Sequence, residues 1–157
     1  MVMTQLTKPS QRQQASLSRK QVLLVDDDPC LRSTTACLLV QEGYDVEQAY
    51  DGCQALRLAL NSPVGAGRYD LIVTDAVMSD VSGMDFLTAI RAMGILTPIL
   101  VITGVLDSGV LERLQRMAPL EFILKPFKKE EFIKYVDALL AAPLWKSRRQ
   151  GGLPCRK

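Results

Sequence analysis

The sequence predicts an α/β fold in which five parallel strands form one sheet with helices on both faces. Three observations predict it. Short apolar runs alternate five times with amphipathic stretches of helical spacing, and that rhythm calls for crossover connections between parallel strands. The run Ile99-Leu100-Val101-Ile102 has no polar alternation, so both faces of that strand are buried. Several of the runs end on a carboxylate, a hydroxyl or an amine, which parallel strands gather on one edge of the sheet, where such folds bind ligands.

The elements follow in chain order. Residues 1–19 are rich in Gln, Ser and basic side chains and predict a disordered basic tail before a domain spanning 20–142. Gln21–Val25 is a buried strand, and Asp26, Asp27 and Asp28 follow it directly. Asp28 suits the cap and Pro29 the first turn of a helix running to Glu42 and stopped by Gly43. Its inner face is expected to use Leu31, Leu38 and Leu39, with Cys30 and Cys37 as packed thiols. Asp45–Gln48 is a short strand, and Asp51 caps a helix from Gly52 to Leu60. After a loop containing Pro63, Gly65 and Gly67, Asp70–Thr74 is a strand that runs into Asp75. A helix from Met84 to Met93 precedes the strand Pro98–Thr103. Asp107 to Met117 is a helix, Leu120–Leu124 a strand, and Lys128 to Ala141 an amphipathic helix with Phe132, Tyr135, Val136, Leu139 and Leu140 inward. A second basic tail, 143–157, carries Trp145 and Cys155.

Composition narrows the function classes. The chain has 157 residues, enough for one domain with a real core. No run reaches the roughly 18 apolar residues of a membrane span, and the N-terminus lacks the apolar stretch of a secretory signal. Absence of His excludes a Cys/His zinc site, and four scattered Cys point to a reduced, cytoplasmic protein. The net charge of +2 conceals an acidic body: residues 21–142 hold 10 of the 19 basic residues and all 17 acidic ones, a balance of −7. That is not the footprint of a nucleic-acid-binding domain.

The strand ends carry the chemistry. Carboxylates as close in sequence as Asp26, Asp27 and Asp28 repel one another, and a cation among them relieves that cost. An oxygen-only ligand set suits Mg²⁺. Asp26 and Asp27, joined by Asp75 from the third strand, would hold it, while Asp28 reads as the helix cap. A strand-end carboxylate beside such a cation can act as a nucleophile toward a phosphoryl group. Lys125 adds a compact positive charge, Thr103 a hydrogen-bond donor, and Gly104 leaves the phosphoryl oxygens reachable.

At this point the residues match a family. From about residue 20 to 142 the chain resembles the receiver domain of two-component response regulators. The resemblance rests on Val22-Leu23-Leu24-Val25-Asp26-Asp27-Asp28-Pro29 with Arg32; on Glu42-Gly43-Tyr44; on Asp51-Gly52 with Ala55-Leu56; on Tyr69-Asp70-Leu71-Ile72-Val73-Thr74-Asp75 with Met78 and Gly83; on Pro98-Ile99-Leu100-Val101-Ile102-Thr103-Gly104; and on Lys125-Pro126-Phe127. It implies a flavodoxin-like (βα)5 three-layer sandwich with strand order 2-1-3-4-5. It implies Asp75 as phosphoacceptor, Asp26 and Asp27 as the acidic pair, the backbone carbonyl of Val77 as a further metal ligand, Thr103 as switch hydroxyl, Lys125 as the site lysine before a cis Lys125–Pro126 bond, and Phe122 as the rotating aromatic of the switch. Implied partners are a histidine kinase or histidine phosphotransfer protein, and a downstream protein bound through the fourth helix, fifth strand and fifth helix. The tail after Ala142 is too short for an output or DNA-binding domain, so a stand-alone receiver is expected, not a turnover enzyme.

Three departures from the family pattern matter: Ser79 follows Met78 where Pro is usual, Cys53 stands where Glu is common, and Val77 and Val105 fill the positions flanking the acceptor. Two valines offer no hydrogen bond to a hydrolytic water, which predicts slow loss of the phosphoryl group. The main rival is a pseudo-receiver that binds partners without phosphate; the intact Asp26, Asp27, Asp75, Thr103 and Lys125 argue against it. A small phosphatase is disfavoured by Cys30 and by the missing cap insertion. A flavin module is disfavoured by acids where a phosphate cradle wants Ser, Thr and Gly.

Overall fold

The computed structural model of the chain describes residues 19–61, 68–78, 83–104 and 108–141. Ten elements alternate: β1 (Gln21–Val25), α1 (Pro29–Gln41), β2 (Asp45–Ala49), α2 (Gly52–Leu60), β3 (Leu71–Asp75), α3 (Gly83–Ala92), β4 (Ile99–Thr103), α4 (Ser108–Gln115), β5 (Leu120–Leu124) and α5 (Lys129–Ala141). All strand pairs are parallel and the order is β2-β1-β3-β4-β5. The expected sandwich and strand order are the observed ones, with element ends within two residues of those read from the sequence.

Period-two alternation splits the strand side chains between two cores. Leu23, Val25, Ile72, Ile99 and Val101 pack with Ala55 of α2, Phe86, Leu87 and Ile90 of α3, and Leu114 of α4. Val22, Leu24, Leu71, Val73, Leu100 and Ile102 pack with Ala36 and Leu39 of α1 and Phe132 and Val136 of α5. The sheet therefore separates an α2–α4 layer from an α1/α5 layer.

Caps set the helix starts. The Asp28 carboxylate accepts from the N–H groups of Cys30 and Leu31, and that of Asp51 accepts from the Gln54 N–H, as expected. Gly43, at φ +91°, lets the chain leave α1 in a left-handed conformation. The Lys125–Pro126 bond is cis, as the resemblance implied, and so is Ala118–Pro119.

The inner face of α1 differs from the expectation. Thr35, Ala36 and Leu39 are buried, whereas Leu31 and Leu38 are only half-buried. A helix lying close on a sheet places small residues along the contact line, and size alone does not reveal that line. Cys30 and Cys37 do share a face, but it is the solvent face: both thiols are exposed and are not packed. Cys53 is exposed too. No helix among the described residues is long and apolar enough to cross a membrane. The expectations for both tails beyond Arg19 and Ala141, and for Ser79 and Val105, fall outside the described residues.

Candidate functional site

The carboxyl edge of the sheet collects the polar residues that end β1, β3, β4 and β5. Asp75 is the last residue of β3 and is 7% exposed. Its Oδ2 accepts from Lys125 Nζ at 2.5 Å, an ion pair that reaches from the end of β3 past β4 to the end of β5. Its Oδ1 accepts from the Val77 N–H at 2.8 Å. Both carboxylate oxygens are thus oriented before any ligand arrives. Gly83 explains how α3 can start so close by: a Cβ there would lie 1.9 Å from the main-chain oxygen of Asp75.

Asp26 is 2% exposed. Its Oδ1 accepts from the Asp28 N–H at 2.9 Å, its N–H donates to the Ala49 carbonyl, and its own carbonyl accepts from Arg32 Nη1 at 2.6 Å. Burial pushes its carboxyl above the ordinary carboxylate value. The Asp28 N–H and Lys125 work the other way, and Asp75 and Asp27 add to the rise. Asp26 thus feels the charges of Lys125, Asp75 and Asp27. Asp27 is half-buried beside it.

Thr103 ends β4 fully buried, and Lys125 N–H donates to its carbonyl at 2.8 Å. Asp75 is in register with Ile102, so Thr103 lies one position further along the neighbouring strand. Gly104 has open space where a side chain would be. Phe122 is half-buried in β5, beside Val101, and packs against the α2–α4 core. Val77 is 63% exposed at the rim.

The donor set is hard oxygen throughout. Among the described residues, no three Asp, Glu or Cys side chains form a ready-made metal cluster, so Asp26, Asp27 and Asp75 are not drawn together as a closed shell. Mg²⁺ does not need one: it commonly takes one or two carboxylates and keeps several waters. A buried Asp26 whose proton affinity is raised partly by two neighbouring carboxylates is a site where a divalent cation lowers the energy. The residues present fit that ion.

Sequence reasoning missed three supports: the Arg32 clamp on the Asp26 carbonyl, the Val77 N–H on Asp75, and the second role of Asp28, whose N–H orients Asp26 while its carboxylate caps α1. Arg32 and Gly83 did stand in the matched motifs, six residues after Asp26 and eight after Asp75, but spacing alone assigned them no task.

Comparison with known proteins agrees with this geometry. The family model described as response regulator receiver domain matches residues 22–137. The chain is 35% identical over 121 residues to the transcriptional regulatory protein TrcR of Mycobacterium tuberculosis, a match covering 76% of this chain and 44% of that protein. It is 35% identical over 121 residues to the response regulator MprA of Mycobacterium sp. (strain KMS), covering 76% and 50%. The chain therefore spans about half the length of the curated relatives it matches. Among solved structures, the chemotaxis protein CheY4 of Vibrio cholerae superimposes with a TM-score of 0.70 at 30% identity, covering 78% of this chain and 100% of that one. The receiver domain of the sensor histidine kinase PA1611 from Pseudomonas aeruginosa PAO1, described with a magnesium ion coordinated in its active site cleft, has a TM-score of 0.68 at 27% identity, covering 80% and 100%.

Proposed function

The chain belongs to the response regulator receiver domain family, and on that premise we propose that it accepts a phosphoryl group on Asp75 from a histidine kinase or histidine phosphotransfer protein. The observation that carries the proposal is the ion pair between Asp75 and Lys125, made across the ends of two strands that are not neighbours. A carboxylate held at both oxygens is positioned as a nucleophile. An Asp75 oxygen attacks the phosphorus, the P–O bond forms as the P–N bond to the donor imidazole breaks, and the imidazole retains the electron pair and takes up a proton. Lys125 stays beside the group and offsets part of its added negative charge.

Asp26, Asp27, Asp75 and the main-chain carbonyl of Val77 would hold a Mg²⁺ ion, which when bound neutralises the phosphoryl oxygens. Thr103 is the hydroxyl at the next strand end and would donate to the phosphoryl group. Phe122, one strand further, would repack in response, altering the surface of α4, β5 and α5 that a downstream protein reads. The protein then acts on itself rather than turning over an external substrate. A single receiver of this size has a counterpart in the Vibrio cholerae CheY4, whose whole chain is covered. Three exposed thiols at Cys30, Cys37 and Cys53 suit a reducing, cytoplasmic setting.

Incubation with acetyl phosphate tests the reading. One acid-labile phosphoryl group is expected with Mg²⁺ and none with a chelator, and Asp75→Asn is expected to abolish it. A wild-type protein that gains no adduct would instead be a phosphorylation-independent interaction module.

A further inference from the structure

Arg32 is a motif residue near the acidic loop to which the proposed reaction gives no task. It sits in the first turn of α1, where its N–H donates to the Asp28 carbonyl. Its guanidinium turns back along the helix start and donates to the main-chain oxygen of Asp26 at 2.6 Å. That oxygen belongs to the peptide linking Asp26 to Asp27. A peptide is planar, so holding its carbonyl also holds the direction of its N–H and the placement of the Asp27 Cα from which that side chain departs.

The rest of the loop is already tied. The Asp26 N–H is on Ala49, the Asp26 carboxylate is on the Asp28 N–H, and the Asp28 carboxylate is on the N–H groups of Cys30 and Leu31. None of those bonds is made by the carbonyl of the Asp26–Asp27 peptide, and the Arg32 guanidinium adds a restraint there. Guanidinium suits the task because its planar fork of donors meets a carbonyl in a fixed geometry, and here it is half-buried.

We propose that Arg32 is a positioning residue for the acidic pair: by clamping the Asp26 carbonyl it aims the Asp27 carboxylate at the cation that the pair and Asp75 would share. This rests on the cation-dependent reading above. The competing explanation is a purely structural tether of α1 to β1, and the two differ in what they protect.

The test measures Mg²⁺ affinity by calorimetry, and Tm without divalent cation, for the 157-residue chain and its variants. Arg32→Met keeps the aliphatic stem and removes the donor. It is expected to weaken Mg²⁺ binding by about 10-fold, the usual cost of losing a group that orients a metal ligand. The cation-free Tm should fall by only a few degrees. Arg32→Lys should recover part of the affinity, and Arg57→Met, which removes an exposed charge on α2, should match the wild type. Wild-type affinity in Arg32→Met, or an equal loss in Arg57→Met, overturns the proposal. If Arg32→Met does not fold, Arg32→Lys decides: affinity below wild type in a folded protein supports the clamp, and wild-type affinity overturns it. A wild-type chain that binds no Mg²⁺ overturns the cation-dependent reading along with the clamp, a different and recognisable result.

Discussion

Val77 stands 63% exposed at the rim of the site, two residues after Asp75, and its side chain can neither donate nor accept a hydrogen bond. A water attacking the phosphoryl group would find no partner there. Val77→Asn is therefore expected to shorten the life of the acyl phosphate several-fold, followed as loss of label after the donor is removed. A wild-type half-life of seconds in Mg²⁺ would contradict the reasoning. Gly83 makes the opposite kind of demand. A Cβ would sit 1.9 Å from the Asp75 carbonyl, and backbone cannot swing aside as a long side chain does. Gly83→Ala is expected to cost about 1–3 kcal/mol in urea unfolding and to slow phosphoryl uptake, because the atom displaced belongs to Asp75, the proposed acceptor. That Asp75, Lys125 and the Asp26–Asp27 pair lie at the ends of apolar runs was legible in the sequence, and the structure brings Lys125 onto Asp75. The Val77 N–H and the Arg32 clamp were not legible, since a main-chain donor has no residue type to announce it and a guanidinium contact depends on which way a long side chain folds back.

Among the elements, α3 and the α4–β5 connection are joined by Arg91. Its guanidinium donates to the carbonyls of Met117, Ile95, Thr97 and Pro119 at 2.6–3.0 Å, and burial lowers its pKa to about 10. Replacing it with Met strips four carbonyls of a shared donor, and a loss of about 2–4 kcal/mol is expected in urea unfolding. Helix α1 and strand β2 meet α5 through Tyr44, whose hydroxyl donates to Asp137. Burial, and then Asp137, push the Tyr44 phenol up to about 12 from an ordinary 10. Between those values the native protein keeps a proton that the unfolded chain has lost. This contribution is complete below pH 10 and disappears as pH rises toward 12. Tyr44→Phe should flatten that part of the stability–pH curve, read by chemical unfolding at fixed pH steps. Element type and order were legible because strand and helix periods differ so clearly. The buried face of α1 was not: Thr35 and Ala36 are small, and neither size nor hydropathy marks them as buried positions.

At the scale of the whole molecule, the alternation that builds two cores also assigns the site residues to sides. Leu71 and Val73 point to the α1/α5 layer, and Asp75 continues their series; Ile99 and Val101 point to the α2–α4 layer, and Thr103 continues theirs. This much follows from counting by twos along the apolar runs, once the register that pairs Asp75 with Ile102 is known. The register itself was not legible, because it depends on loop lengths. The sheet is thus a partition, and Asp75 and Thr103 stand on opposite series of adjacent strands at its rim. Repacking on the α1/α5 side reaches Asp75 through the β3 side chains Leu71 and Val73, and repacking on the α2–α4 side reaches Thr103 through the β4 side chains Ile99 and Val101. The two cores thus bear on one shared rim through different strands, so a change in either core is felt first by a different member of the site.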